Sequence, residues 1–289
     1  MRRIIFGLLW IAHFLPYRVL LVIGNVVGFL AFWLIPERRR VTRVNLAKCF
    51  PQMKSAQREA LARAHFRAFC RSFVDRALLW WSPRARIERL VRIEGLEHLR
   101  ALGKAPVILF APHFAGLDAG FTRLCCELNM VSMYANQKHA RFSDLLRRGR
   151  TRFGDQRLVS RQEGIRTTLA SMREGRPFYY LPDQDYGPRE TLFVPFFGVH
   201  AATTPGLARI ARVAGAKVLP CVTQLLAGGE GYVVRIEPAW DNFPTADLLA
   251  DTRRMNEYIE GRVPDMPEQY LWMHKRFKTR PPGEARFYP

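Results

Sequence analysis

His113 and Asp118 are the residues whose types and spacing point most directly to chemistry. They stand four residues apart in Pro112-His-Phe-Ala-Gly-Leu-Asp118, directly after the apolar run 107–111. A neutral imidazole can take a proton near pH 7, and a carboxylate on its other nitrogen fixes the tautomer and stabilises the imidazolium. Small residues, Ala115 and Gly116, separate the two, and from Leu117 an apolar pattern at helical spacing begins with Phe121, Leu124, Cys125 and Leu128. The histidine is therefore expected in the loop at the carboxyl end of a buried strand, with the aspartate in the first turn of the next helix. Open α/β sheets bind their ligands there. Read alone, the short pattern fits a locally hydrogen-bonded histidine and a helix-capping aspartate equally well.

Other stretches carry compatible groups. Arg147-Arg-Gly-Arg150-Thr-Arg152 is dense in guanidinium, which binds phosphate and carboxylate through a planar fork. A solvated cationic face is the plainer reading. Asp183, Asp185 and Arg189 follow the apolar run 177–182 and are placed either to line a cleft or to make an ordinary polar turn. The segment 192–198, Leu-Phe-Val-Pro-Phe-Phe-Gly, is too apolar for a surface loop and reads as core or as the wall of an acyl-chain pocket. Near the end, 270–281 sets an apolar group before a cationic tail, suited to lipid headgroups or to docking on the domain. The five cysteines form no Cys-x-x-Cys pair, so neither a zinc site nor a disulfide framework is expected.

The elements that must position these groups follow from the apolar patterning. With 289 residues, 48% hydrophobic and 24% charged, the chain can bury a large core. Its net charge of +20 favours an anionic partner. Nucleic acid is the usual default, but the N-terminus argues for a membrane surface. Residues 4–35 are almost wholly apolar, interrupted by Pro16-Tyr-Arg18, with Arg2 and Arg3 before them and Arg38, Arg39, Arg40, Arg43 and Lys48 after them. This reads as an N-terminal membrane helix, either a single kinked span or a shallow hairpin. The larger basic cluster places the bulk of the chain on the cytoplasmic side. Residues 1–36 are thus an anchor, and 37–90 a basic connector leading to an amphipathic helix. That helix is expected to be capped by Ser55 and carries Phe66, Phe69, Phe73, Ala77 and Trp80 at helical spacing, with Trp80-Trp81 suited to a bilayer interface.

Residues 91–289 form the α/β domain. Expected strands are 91–94, 106–111, 130–134, 177–182, 217–223 and 232–237. Expected helices are 96–103, 117–128, 140–148, 162–174, 204–214 and 246–262, the fifth opened by Thr204 as cap and Pro205 at the first position. Strands alternating with helices predict a layered mixed sheet with flanking helices.

Five pieces in order, Asn45-Leu-x-x-Cys-Phe-Pro51, His113-x4-Asp118, Asp183-Gln-Asp-Tyr-Gly-Pro188, Phe193-Val-Pro-Phe-Phe-Gly198 and Trp272-Met-His-Lys-Arg-Phe277, resemble the bacterial lipid A late acyltransferases. The resemblance spans nearly the whole chain. It implies a glycerolipid-acyltransferase-like α/β fold, no metal or cofactor, an acyl-carrier-protein thioester as co-substrate, and a lipid A precursor hydroxyl as acceptor at an inner membrane. It also implies His113 and Asp118 as catalytic, with His113 the general base on that hydroxyl and Asp118 orienting it, and Arg150 and Asp183 as site residues. Arg152 and Asp185 compete for those last two roles. Oxyanion donors would be backbone N–H groups near Gly116, or Arg150. Many members of the family carry glutamate at the position of Asp118. The Asp183-Gln184 pair after Pro182 departs from the Glu-Gly of the phospholipid-synthesis branch. A lysophospholipid acyltransferase remains the same-class rival. A membrane-anchored hydrolase using the same pair with water, or a non-catalytic membrane-tethered binding protein, are the others.

Overall fold

The computed structural model describes residues 2–134, 140–160 and 164–288. The apolar N-terminus forms two helices, α1 (Arg2–Ala12) and α2 (Tyr17–Leu34). They are separated at Pro16, whose missing N–H and fixed φ end a continuous helix. Arg86 donates to the carbonyls of His13 and Leu15 at this break. After α3 (Pro36–Cys49) comes the long α4 (Ser55–Trp81). Ser55 is its first residue rather than its cap; Gln57 Oε1 instead accepts from the Lys54 N–H at 3.0 Å.

Helix α2 lies along α4. Leu20, Gly24, Gly28 and Phe32, four residues apart, form its buried stripe. Two glycines permit the approach: a Cβ at Gly24 would lie 2.7 Å from Arg71 Cα, and one at Gly28 2.5 Å from Arg67 Cα. Small residues at such a seam let two helix backbones come close. The opposite face, including Val22, Val26, Phe29, Leu30, Trp33 and Leu34, is exposed and apolar. With a mean hydropathy of 1.8 over 18 residues, α2 is long and apolar enough to cross a membrane.

Helix α5 (Arg84–Leu90) leads into β1 (Val91–Glu94), followed by α6 (Leu96–Arg100), β2 (Val107–Phe110), α7 (Leu117–Cys125) and β3 (Val131–Tyr134). Next come α8 (Ala140–Arg150), β4 (Arg157–Ser160), α9 (Ile165–Arg173) and β5 (Phe178–Tyr180). A hairpin of β6 (Leu192–Phe196) and β7 (Val199–Thr203) precedes α10 (Gly206–Ala214), β8 (Lys217–Leu225), β9 (Tyr232–Ile236) and α11 (Leu248–Arg262). Seven strands pair in the order β1-β9-β8-β2-β5-β3-β4, all parallel except β8 against β9.

Alternation along β2 splits the core in two. Ile108 and Phe110 join Phe66 of α4, Leu207 of α10 and Ile259 of α11 on one face; Val107, Leu109 and Ala111 join Leu78, Ile87 and Leu124 on the other. Successive residues of a strand point to opposite faces, so a sheet covered on both sides has apolar residues at every position. All four residues of β2 are buried.

Every strand expected from the pattern is present, and β4 and the β6/β7 hairpin are additional. The apolar segment 192–198 is largely this hairpin, with Val194 and Phe196 buried in the core rather than lining a cavity. Residues 162–163 of the expected helix 162–174 lie outside the described residues. Helix α10 starts at Gly206 with Pro205 at its cap position, one residue later than expected, although the Thr204 hydroxyl still accepts from the Gly206 N–H at 3.2 Å. Trp80 is buried against Gly149 rather than set at an interface; a Cβ there would meet its ring at 2.2 Å.

Candidate active site

Strands β2 and β5 are parallel neighbours in the register Phe110↔Tyr180. Each leaves the sheet through an X-Pro step, Ala111-Pro112 and Leu181-Pro182, and each places a polar residue three positions past that pair: His113 and Asp183. Proline after the strand end holds the preceding residue extended, and the Ala111 N–H still bonds to the Tyr180 carbonyl at 2.9 Å. The two polar residues therefore meet above the carboxyl ends of adjacent strands. Asp183 Oδ1 lies 2.6 Å from His113 Nδ1, and Asp183 Oδ2 accepts from the His113 backbone N–H at 2.9 Å.

Asp183 is 1% exposed. Burial pushes its carboxyl pKa up, but the charge and two hydrogen bonds of His113, with Arg276 beyond, outweigh that and hold it below the ordinary value. An ionised carboxylate only accepts, so the bond fixes the proton on Nδ1. Nε2 has no hydrogen-bond partner among the described residues.

Asp118 does not touch His113. Its Oδ2 accepts from Arg76 Nε at 2.9 Å and Nη2 at 2.5 Å, and its Oδ1 accepts from Arg150 Nη2 at 2.8 Å. The expected orientation of His113 by Asp118 is corrected: the sheet register brings Asp183 to the imidazole, while the first turn of α7 faces α4 and α8. Burial raises the Asp118 pKa, yet the two guanidiniums together hold it well below the usual carboxylate range. Local packing explains the convergence of three helices. Gly116 and Gly120 let α7 press onto Thr223 of β8, where a Cβ at Gly120 would come within 1.9 Å of the hydroxyl oxygen. Gly149 seats the end of α8 on Trp80 of α4, which carries Arg150 toward Arg76.

The other expected residues separate. Asp185 is buried and points away from His113. It accepts from the Thr279 N–H at 2.6 Å, the Thr279 hydroxyl at 2.9 Å and the Gly187 N–H at 2.9 Å, pinning the C-terminal arm. A substrate-binding role for Asp185 is therefore not supported by its position. Arg152 donates to the carbonyls of Leu79 at 3.0 Å and Ser82 at 2.6 Å, closing the C-terminal end of α4. Arg189 is exposed and lines a neighbouring depression with Glu190 and Thr191 rather than the space around His113. The 270–281 segment is docked on the domain. Asn45 Nδ2 donates to the carbonyls of Trp272 at 2.7 Å and His274 at 2.8 Å, and buried Arg276 donates to Ala202 O and Thr203 Oγ1, both at 2.8 Å.

His113, Asp118, Arg76 and Arg150 line one cavity of about 870 Å³. Its walls include Phe66, Phe69 and Phe73 of α4, Met133 and Tyr134 of β3, Tyr179, Gln184, Leu271 and Met273. It reaches Ala31 and Ile35 at the end of the apolar α2 and Arg38 at the start of α3. Arg76 was missed in the sequence, although it continues the stripe Phe66, Phe69, Phe73 at the same three-and-four spacing. A cation three residues beyond an aromatic stripe is the signal that could have found it.

Comparison with known proteins gives the family of the chain. The family model for bacterial lipid A biosynthesis acyltransferases matches residues 3–279. The lipid A biosynthesis palmitoleoyltransferase of Escherichia coli (strain K12) is 32% identical over 98% of this chain and 92% of its own. The lauroyltransferase of the same organism is 31% identical over the same shares, and its myristoyltransferase 34% identical over 86% of this chain and 78% of its own. Among solved structures, a 1-acyl-sn-glycerophosphate acyltransferase from Thermotoga maritima is similar at a TM-score of 0.41 and 16% identity, covering 84% of this chain and 97% of that one. The chain belongs to the bacterial lipid A biosynthesis acyltransferase family.

Proposed function

We propose that this acyltransferase moves a fatty acyl chain from an acyl-carrier-protein thioester to a hydroxyl of a lipid A precursor, with His113 as the general base. The carrying observation is the clamp of Asp183 on both the ring and the backbone of His113. With Nδ1 protonated and held, Nε2 takes the proton of the acceptor hydroxyl as its oxygen attacks the thioester carbonyl. Asp183 stabilises the imidazolium that forms. Collapse of the tetrahedral intermediate then expels the carrier thiolate, which recovers the proton from Nε2. The oxyanion donor in this reading is a backbone N–H near Gly116 or the guanidinium of Arg150, which lines the same cavity as His113. No acyl-enzyme is required, and both substrates occupy the cavity together.

The reading also places the enzyme on the cytoplasmic side of an inner membrane. Support comes from the exposed apolar face of α2 and from the basic ring at its end. The guanidiniums of Arg39 and Arg63 lie 5.4 and 5.7 Å from the Trp33 ring centre and 5.5 and 5.6 Å from that of Phe32. Such cation-bearing aromatics suit the headgroup layer of an anionic leaflet. Because the cavity reaches Ala31 and Ile35, a lipid acceptor can enter from the bilayer side.

The test is incubation of the purified protein in detergent with acyl-carrier-protein thioester, with and without the lipid A precursor. Acylated lipid formed only with acceptor present is the expected result. Thioester hydrolysis at equal rate with and without acceptor, or transfer to lysophospholipids alone, would contradict it.

A further inference from the structure

Asp118 is a single carboxylate held by two guanidiniums, and one would neutralise it. The trio is largely enclosed, with side-chain exposures of 21% for Arg76, 15% for Asp118 and 23% for Arg150. It therefore leaves one positive charge in excess in a cavity wall, where an unpaired charge is costly. Much of its hydrogen-bonding capacity is also unused. Arg76 gives Asp118 only Nε and Nη2, and Arg150 only one Nη2 bond, so among the described residues Nη1 of each arginine has no acceptor. Asp118 fixes both forks, and the aromatic rings of Phe73 and Phe121, 5.1 and 5.9 Å from the guanidinium carbons, back them. Two oriented guanidiniums with free N–H groups and an excess positive charge match a tetrahedral dianion or a phosphodiester better than a neutral hydroxyl or an acyl chain.

We propose that Arg76 of α4, together with Arg150, forms a phosphate-binding site in the cavity wall, with Asp118 as the residue that positions the two. The inference rests on the transfer reading above for its setting. It deepens that reading by adding Arg76 as a substrate-positioning residue and by giving Asp118 a task other than the proton relay. Two phosphates are within the chemistry of that reaction: one on the acceptor glycolipid, the other the phosphodiester of the donor's phosphopantetheine arm.

The experiment is equilibrium binding to the full-length protein in detergent micelles. One pair of probes is the lipid A precursor and the same lipid with its phosphates removed. The other is acyl-phosphopantetheine and acyl-pantetheine. Arg76→Ala should weaken the phosphorylated member of one pair by about 10–100-fold, the equivalent of a lost charge-assisted hydrogen bond or two, and leave its phosphate-free partner unchanged. The pair affected names the source. Arg76→Lys, which keeps the charge but not the fork, should fall between. Arg148→Ala, exposed on the same helix as Arg150, should change neither pair. Equal weakening of both members of each pair overturns the proposal. So does wild-type protein that binds phosphorylated and phosphate-free members alike, a result that needs no variant to fold. Binding requires no turnover, so a protein that binds phosphate through Arg76 yet transfers no acyl chain would sink the transfer reading and leave this one standing.

Discussion

The carboxylate of Asp183 grips His113 twice, through Oδ1 on the ring at 2.6 Å and through Oδ2 on the backbone N–H at 2.9 Å. The second bond fixes the base of the side chain that the first one aims. Neither could form unless β2 and β5 were adjacent, parallel and in register, so this relationship is a product of sheet topology and not of local sequence.

Arg152→Ala should lower thermal stability without touching substrate affinity. Its two bonds, to Leu79 O and Ser82 O, satisfy carbonyls at the end of α4. Hydrogen bonds from charged donors are worth roughly 1.5–3 kcal/mol, which appears as a melting temperature lowered by several degrees in detergent. A rise in KM with unchanged melting would show that Arg152, rather than Arg150, faces substrate.

Gly28→Leu should loosen α2 from α4. The added Cβ alone would lie 2.5 Å from Arg67 Cα and 2.8 Å from Phe66 O, both backbone atoms of a long helix that cannot yield cheaply. Overpacking of this kind costs about 1–3 kcal/mol. Limited proteolysis should cut the α2–α3 region faster in the variant than in wild type. Identical digestion patterns would mean that the close seam contributes little.

Asp75 sets a pH-dependent term. It is buried and accepts from Tyr232 Oη at 2.5 Å and Tyr17 Oη at 3.4 Å, and burial, opposed by those bonds and by Arg71, pushes its carboxyl up to about 6 from 3.8. Below the unfolded value both states are protonated and nothing is lost. As the pH rises through the folded value, the native state must carry a buried charge that the unfolded state carries in water. A shift of about two units corresponds to on the order of 3 kcal/mol. The stability of wild type relative to Asp75→Asn should therefore fall between about pH 4 and pH 6 and stay level above. Parallel melting curves for the two proteins across that range would contradict it.

Much of the frame was legible in the sequence. Runs such as 107–111 and 218–222 are apolar at every position, as strands covered on both faces must be, and the loop carrying His113 follows one of them as expected. The hairpin β6/β7 was hidden because Pro195 and two phenylalanines blur its alternation; only its core character was readable. The partner of His113 was hidden for a different reason. Asp118, four residues away, is near in sequence, whereas Asp183 becomes a neighbour only through pairing of strands 70 residues apart. Nothing in the spacing discloses that register, although the matching Ala-Pro-His and Leu-Pro-Asp steps reflect it once it is seen. Asp185 and Asp183 likewise differ by two positions and face different structures, one the imidazole and the other Thr279. Arg76 was masked by its surroundings, since arginines are frequent along α4 and only the turn shared with Phe73 marks it as inward.

The measurement that bears most directly on the central assignment is a pair of double-mutant cycles on acyl transfer by folded, membrane-attached protein. His113→Ala should cost about 10²–10⁴-fold or more in kcat, the usual range for a general base. Asp183 acts through His113, on its ring and its backbone N–H, so adding Asp183→Asn to His113→Ala should cost little further, as for residues that work as one unit. Asp118→Asn disturbs Arg76 and Arg150 instead, so its loss should multiply with that of His113→Ala. That pattern, coupling with Asp183 and independence from Asp118, is the predicted result. Independence of Asp183 together with full coupling to Asp118 would contradict the account.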